Sequence, residues 1–148
     1  MIALLQTVKE ASVSVNSKII GKIGEGLLIF IGVFKSDTWD EAKFLANKCA
    51  NIRIFTDNQG KMNKSLLEVS GSCLIVSQFT LCANSDKGRR PSFVRAANHQ
   101  KGIIIYNDFI KQFQENNIKV ATGIFGEKMN VHSINDGPVT LILNSDTK

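Results

Sequence analysis

Proline is scarce in this sequence, at two in 148 residues, and no proline tract marks a linker or a repeat. Cysteine is nearly as rare. Cys49, Cys73 and Cys82 are odd in number and show no C-x-x-C spacing, which argues against both a disulfide framework and a zinc site. They read as buried free thiols in a reducing compartment. Long hydrophobic runs are missing too: the longest, residues 26–34, has nine residues including two glycines, against the ~20 that a membrane helix needs. The opening Met1-Ile2-Ala3-Leu4-Leu5-Gln6 has no basic residue and turns polar at Gln6, so no signal peptide is expected. The expectation is a cytoplasmic protein with no membrane association. No P-loop, dinucleotide glycine motif or G-x-S-x-G elbow occurs, and no metal or cofactor is expected.

What remains is ordinary globular material. Hydrophobic residues at 43% and charged residues at 21% argue against disorder. One domain over residues 1–148 is the default for this length. Net charge is +5 with a pI near 9.2, which makes a polyanionic partner plausible wherever the excess clusters.

The pattern along the chain is strand-rich. Ala11-Ser12-Val13-Ser14-Val15 alternates apolar and polar, Asn16-Ser17 supplies a turn, and the chain returns through Lys18 to Ile23. The fully apolar Leu27-Leu28-Ile29-Phe30-Ile31 reads as a central strand. Thr38-Trp39-Asp40-Glu41 fits a capping box, followed by Ala42, Leu45, Ala46 and Cys49 on one helix face. Arg53-Ile54-Phe55 reads as a short strand and Cys73-Leu74-Ile75-Val76 as a buried one. A second helix presents Tyr106, Phe109, Ile110 and Phe113, and two or three strands follow, ending in Val139-Thr140-Leu141-Ile142-Leu143. The predicted class is α/β: a compact, strongly twisted, barrel-like mixed sheet with two main helices packed against it in a single domain.

Three segments carry chemistry. Ser77-Gln78-Phe79-Thr80 ends a buried strand, where open sheets tend to place their sites. Period-2 geometry sends Gln78 and Thr80 to one face, Ser77 and Phe79 to the other. A hydroxyl, an amide and backbone N–H groups there would polarise an ester carbonyl; the competing reading is a strand end whose hydroxyls cap backbone groups. Asn135-Asp136-Gly137-Pro138-Val139-Thr140 is either a tight turn into the last strand or a rigid wedge whose carbonyls grip an ammonium. Lys87-Gly88-Arg89-Arg90-Pro91 holds three cations in four residues, either a solvated loop or a phosphate contact. The two histidines, His99 and His132, sit in no nucleophile motif and read as surface or structural residues.

Taken in order and spacing, these segments resemble the D-aminoacyl-tRNA deacylases. Met1-Ile2-Ala3-Leu4-Leu5-Gln6, Ala11-Ser12-Val13-Ser14-Val15 and Gly60-Lys61-Met62-Asn63 look like family segments. So do Arg90-Pro91-Ser92-Phe93 and Thr122-Gly123-Ile124-Phe125-Gly126. Ser77-Gln78-Phe79-Thr80 matches the family's SQxT, and Asn135 to Thr140 its NxGPxT. The resemblance implies a homodimer that hydrolyses the ester joining a D-amino acid, or glycine mischarged on tRNA(Ala), to the 3′-terminal adenosine of tRNA, as chiral proofreading in translation. It implies that Ser77, Gln78, Phe79 and Thr80 line the catalytic pocket. Gly137-Pro138, through a cis peptide, would reach into the partner subunit's pocket and reject L-amino acids. Phe125 and Met129 would lie near the substrate, and Gly102 would stand by the adenine, where the family often has alanine. Lys87, Arg89 and Arg90 would meet tRNA phosphates. One departure is Thr7, where the family commonly has an arginine supporting the Gly-Pro loop. With no base beside a nucleophile, the tRNA's terminal 2′-hydroxyl would assist cleavage; Thr80 as nucleophile is the competing mechanism. A binding module that holds RNA without turnover, and a small-ester hydrolase using Ser77 or Thr80 covalently, are the rival readings.

Overall fold

The computed structural model describes residues 1–86 and 88–147; Lys87, grouped above with Arg89 and Arg90, lies outside them. The fold is built around one long strand. β1 (Ile2–Val15) pairs antiparallel along one edge with β8 (Asn130–Asn144). Along the other it meets β3 (Gly26–Gly32) in its first half and β2 (Lys18–Ile23) in its second. β6 (Ser72–Ser77) joins β3 in parallel, and β7 (Val120–Thr122) joins β6 in parallel. A separate ribbon is made by β4 (Phe55–Thr56) and β5 (Met62–Lys64). Two helices, α1 (Trp39–Asn51) and α2 (His99–Glu115), pack on the sheet and on each other.

Local chemistry explains most of this. Asn16 and Ser17 both take positive φ, 48° and 64°, as a two-residue hairpin connection requires. β3 is buried on both faces, consistent with its parallel neighbour and its unbroken apolar run. α1 opens with the capping box the sequence predicts: Asp40 N–H donates to Thr38 Oγ1 (3.3 Å) and Thr38 N–H to Glu41 Oε2 (2.9 Å). α2 is capped by Asn98, whose Oδ1 accepts from Lys101 N–H (2.9 Å). Its buried stripe includes Tyr106, Phe109 and Phe113; full burial of such a ring stabilises by about 1.5–3 kcal/mol.

β1 serves two cores. Ala3 and Leu5 enter the helix-side core with Leu27, Ile29 and Ile31. Register shifts against β8 between Gln6 and Glu10 then change which side chains point inward. Val8, between the two shifts, and Ala11 and Val13 beyond them join Ile23, Leu28, Leu74 and Val76 in a second cluster, inside the curl of the sheet. Gly21 nearly closes that curl: a Cβ there would lie 2.7 Å from the Thr122 carbonyl oxygen, so only glycine lets β2 approach β7. The Met1 α-ammonium is buried against Asp37 Oδ1 (2.7 Å) and Ser145 Oγ (2.5 Å), while Asp37 Oδ2 accepts Phe34 N–H (2.6 Å).

Three local expectations change. Residues 77–80 do not continue as an alternating strand: β3 and the ladder end beside Ser77, Gln78 N–H makes a last bond to Ile31 O (2.7 Å), and Phe79–Cys82 coil into a 3-10 turn. Residues 135–140 are not a turn between strands. They lie inside β8 as a bulge, with Asn135 opposite Val8 and Thr140 opposite Gln6. The short strand read at Arg53-Ile54-Phe55 begins only at Phe55.

Candidate active site

Where parallel β3 and β6 end, a cavity of about 410 Å³ opens. Ile31, Val33 and Val76 form its apolar floor, and Ser77, Gln78 and Phe79 rim it. α2 contributes Gly102, and the stretch after β7 contributes Phe125 and Met129. Six of the residues singled out in the sequence thus face one space. Thr80 does not line it: it is exposed on the 3-10 turn, and the Gln78 side-chain amide donates to its hydroxyl.

The wall is held by aromatic contacts. Phe125 packs against Tyr106 (5.4 Å between ring centroids) and edge-on against His99 (5.3 Å). Tyr106 is buried, its hydroxyl donating to Ile75 O (2.7 Å), and burial pushes its pKa well above the usual phenol value. It is a neutral support rather than a base. The ring sits where a side chain at Gly102 would begin, since a Cβ there would stand 2.8 Å from Phe125 Cζ. Phe79, largely exposed, meets Phe93 edge-on at 5.1 Å, which ties the cavity's rim to the loop of residues 84–98.

The sequence read His99 as a surface or structural residue and gave no sign of Glu127, yet both line the cavity. His99 had a usable signal: it follows the Asn98 cap and stands three residues before Gly102, on the same helix face. The contact of Phe93 with Phe79 had no local signal, because the two are remote in sequence. Neither His99 nor Glu127 hydrogen-bonds to Ser77 or Thr80, so no nucleophile–base pair exists among the described residues. His132 stands elsewhere, exposed on β8 and 4.0 Å from Glu10.

Gly137 and Pro138 are exposed on the β8 bulge and do not line the cavity of their own chain. Their peptide bond is cis. The Asn135 side chain spans the bulge: Oδ1 accepts Val139 N–H (3.1 Å), and Nδ2 donates to Val139 O (3.2 Å) and Thr140 Oγ1 (3.1 Å). Gln6 Nε2 also donates to Thr140 Oγ1 (3.2 Å). From β1, the nearly buried Thr7 donates its hydroxyl to Asp136 O (2.5 Å). Thr7 therefore holds the bulge directly. Arg89 and Arg90 are exposed in the loop that the Asn84–Ser92 bridge closes, away from the cavity lining. No group of three or more metal-ligating side chains occurs among the described residues, and no helix there is long and apolar enough to cross a membrane.

A barrel-like sheet with a strand-end cavity of this composition has close relatives. The sequence model of the D-Tyr-tRNA(Tyr) deacylase family matches residues 4–144, and the chain belongs to that family. A protein of Thermosipho melanesiensis named D-aminoacyl-tRNA deacylase is 53% identical over 146 residues, covering 98% of this chain and 97% of its own. One of the same name from Geobacter sulfurreducens is 50% identical over 148 residues, covering 100% and 97%. Among solved structures, one described as the c-Myc DNA Unwinding Element Binding Protein superposes with a TM-score of 0.91 at 36% identity, over 97% of this chain and 98% of that one. A probable eukaryotic D-amino acid tRNA deacylase, at 19% identity and a TM-score of 0.84 with the same coverage, shares the fold.

Proposed function

We propose that this enzyme, a D-aminoacyl-tRNA deacylase, cleaves the ester between a D-amino acid and the 3′-terminal adenosine of tRNA, and likewise removes glycine mischarged on tRNA(Ala). The observation that carries the reading is the cavity rimmed by Ser77, Gln78 and Phe79 in a chain of this family. The donors available to polarise the ester carbonyl are the side chains of Ser77 and Gln78 and the leading N–H groups of the 3-10 turn. Phe125, Met129 and Gly102 bound the space for the aminoacyl and adenine groups.

Cleavage is assisted by the tRNA itself. Ser77 and Thr80 lack a hydrogen-bonded base, and the Thr80 hydroxyl is already engaged by Gln78. Positioning and electrostatics are then the protein's contribution, and the terminal 2′-hydroxyl activates water. L-amino acids are turned away by Gly137 and Pro138 of a second subunit in a homodimer. Two features support this: these residues are exposed rather than buried in their own chain, and the bulge presenting them is clipped by Asn135 and Thr7. Arg89 and Arg90, with Lys87, meet the tRNA backbone.

Incubation with D-Tyr-tRNA and L-Tyr-tRNA tests the reading: the D-ester is lost and the L-ester persists, whereas equal survival of both overturns it. Thr80→Ala retains most activity, and a substrate lacking the terminal 2′-hydroxyl is nearly inert; a folded but dead Thr80→Ala selects covalent catalysis. The DNA-binding name of one structural relative favours a second reading, nucleic-acid binding without turnover. Salt-sensitive retention of tRNA with its ester intact would select it.

A further inference from the structure

A second group of cations lies beside the cavity, separate from the loop that carries Arg89 and Arg90. Two cavity-lining residues, Val33 and Ala97, are joined by a backbone bond from Ala97 N–H to Val33 O (2.9 Å). The ribbon they begin continues outward through the Phe34–Ala96 bridge and closes with Lys35 N–H donating to Arg95 O (3.0 Å). Its outer end therefore carries two cations, both exposed and each two residues along the chain from a cavity-lining residue. Lys101 joins them. It precedes the cavity residue Gly102 on α2, and its ammonium donates to Lys35 O (2.5 Å).

Two of these charges are held, and none of the three is ion-paired. The Arg95 guanidinium lies 4.9 Å over the Phe34 ring, and Lys101 is tied to a carbonyl, so less side-chain freedom is lost on engaging an anion. None of the three takes part in the ion pairs of the described residues, which engage Lys9, Lys22, Lys111, His132 and the Met1 ammonium instead. A cationic cluster with two held members and no ion-pair partner, one short ribbon away from the proposed ester-binding cavity, matches a negative charge carried just outside that cavity.

We infer that Lys35, Arg95 and Lys101 bind the phosphodiester immediately 5′ of the substrate's terminal adenosine. This rests on the deacylase reading and adds to it a site that measures the length of the nucleotide chain. It predicts that the enzyme distinguishes a D-aminoacyl dinucleotide, which has that phosphodiester, from a D-aminoacyl adenosine, which lacks it.

The test compares kcat/KM of wild type, Lys35→Gln and Lys35→Gln/Arg95→Gln on three D-tyrosyl esters: adenosine, cytidylyl-adenosine and full tRNA. The Lys35 side chain has no hydrogen bond or ion pair among the described residues, so its replacement leaves the fold intact, and the adenosine ester reports any damage to the cavity. The expected result is a loss of about three- to tenfold per cation on the dinucleotide and tRNA esters, with the adenosine ester within twofold of wild type. The slope of log kcat/KM against log salt on tRNA becomes shallower by about one per cation removed. An unchanged ratio of dinucleotide to adenosine activity, or an equal fall on all three esters, overturns the proposal. Failure of the wild-type protein to cleave any of the three esters overturns the deacylase reading instead.

Discussion

Gly102 shows how one missing methyl shapes the cavity. The Phe125 ring occupies the space a Cβ would take, and the same ring braces His99 and Tyr106. Gly102→Ala should fold with a loss of about 1–3 kcal/mol in thermal melts, because the ring can swing aside. Steady-state kinetics should show KM for D-aminoacyl-tRNA rising more than kcat falls. Thr7 acts at a distance from the cavity. Thr7→Val removes its bond to the Asp136 carbonyl, a loss of about 0.5–1.5 kcal/mol, and slackens the bulge. Paired assays on D- and L-Tyr-tRNA should show L-rejection falling more than D-turnover; equal effects would assign Thr7 to stability alone. Residue types at Ser77 to Thr80 and Asn135 to Thr140 were legible because polar groups stand out against apolar strands. The packing of Phe125 on Gly102 was not, because ring placement depends on three elements meeting.

Among the elements, helices and hairpins were the most legible, since their signals are local. The α1 capping box is one such signal, and Thr38→Ala should cost about 1 kcal/mol by chemical denaturation. The β1–β2 hairpin is another. Ser17 sits at φ 64°, a conformation a β-carbon disfavours, so Ser17→Gly should raise stability by up to about 1 kcal/mol. Two elements were misread for a common reason. Gly137 and Pro138 are breaker letters, yet the ladder to β1 resumes at Thr140 once the bulge has absorbed the extra residues. Phe79 has strand chemistry, yet β3 ends at Gly32 and leaves nothing for a longer β6 to pair with.

For the whole molecule, the α/β class and the nearly closed sheet follow from apolar periodicity, while the closure itself depends on Gly21 approaching Thr122, which no local pattern announces. The three thiols are buried, and desolvation raises the pKa of each, with Cys82 pushed up to about 11. A thiol reagent near pH 7 should label none of them in the native protein and all three after unfolding. The pH dependence has a definite sign. A thiol whose folded pKa is raised contributes stability that is complete below its ordinary value near 9 and is lost as pH rises toward the folded value. Melting temperature should therefore hold below about pH 8.5 and decline above it as unfolded thiols ionise.

The edge-to-face seat of Phe79 on Phe93 couples the cavity's rim to a distant stretch of the surface. On the proposed reading, a tRNA backbone drawing on the loop that carries Arg89 and Arg90 would pull on that seat, so that contacts far from the ester would bear on the residues proposed to polarise it. Truncated esters will on that account turn over slowly even at saturation, rather than merely binding loosely.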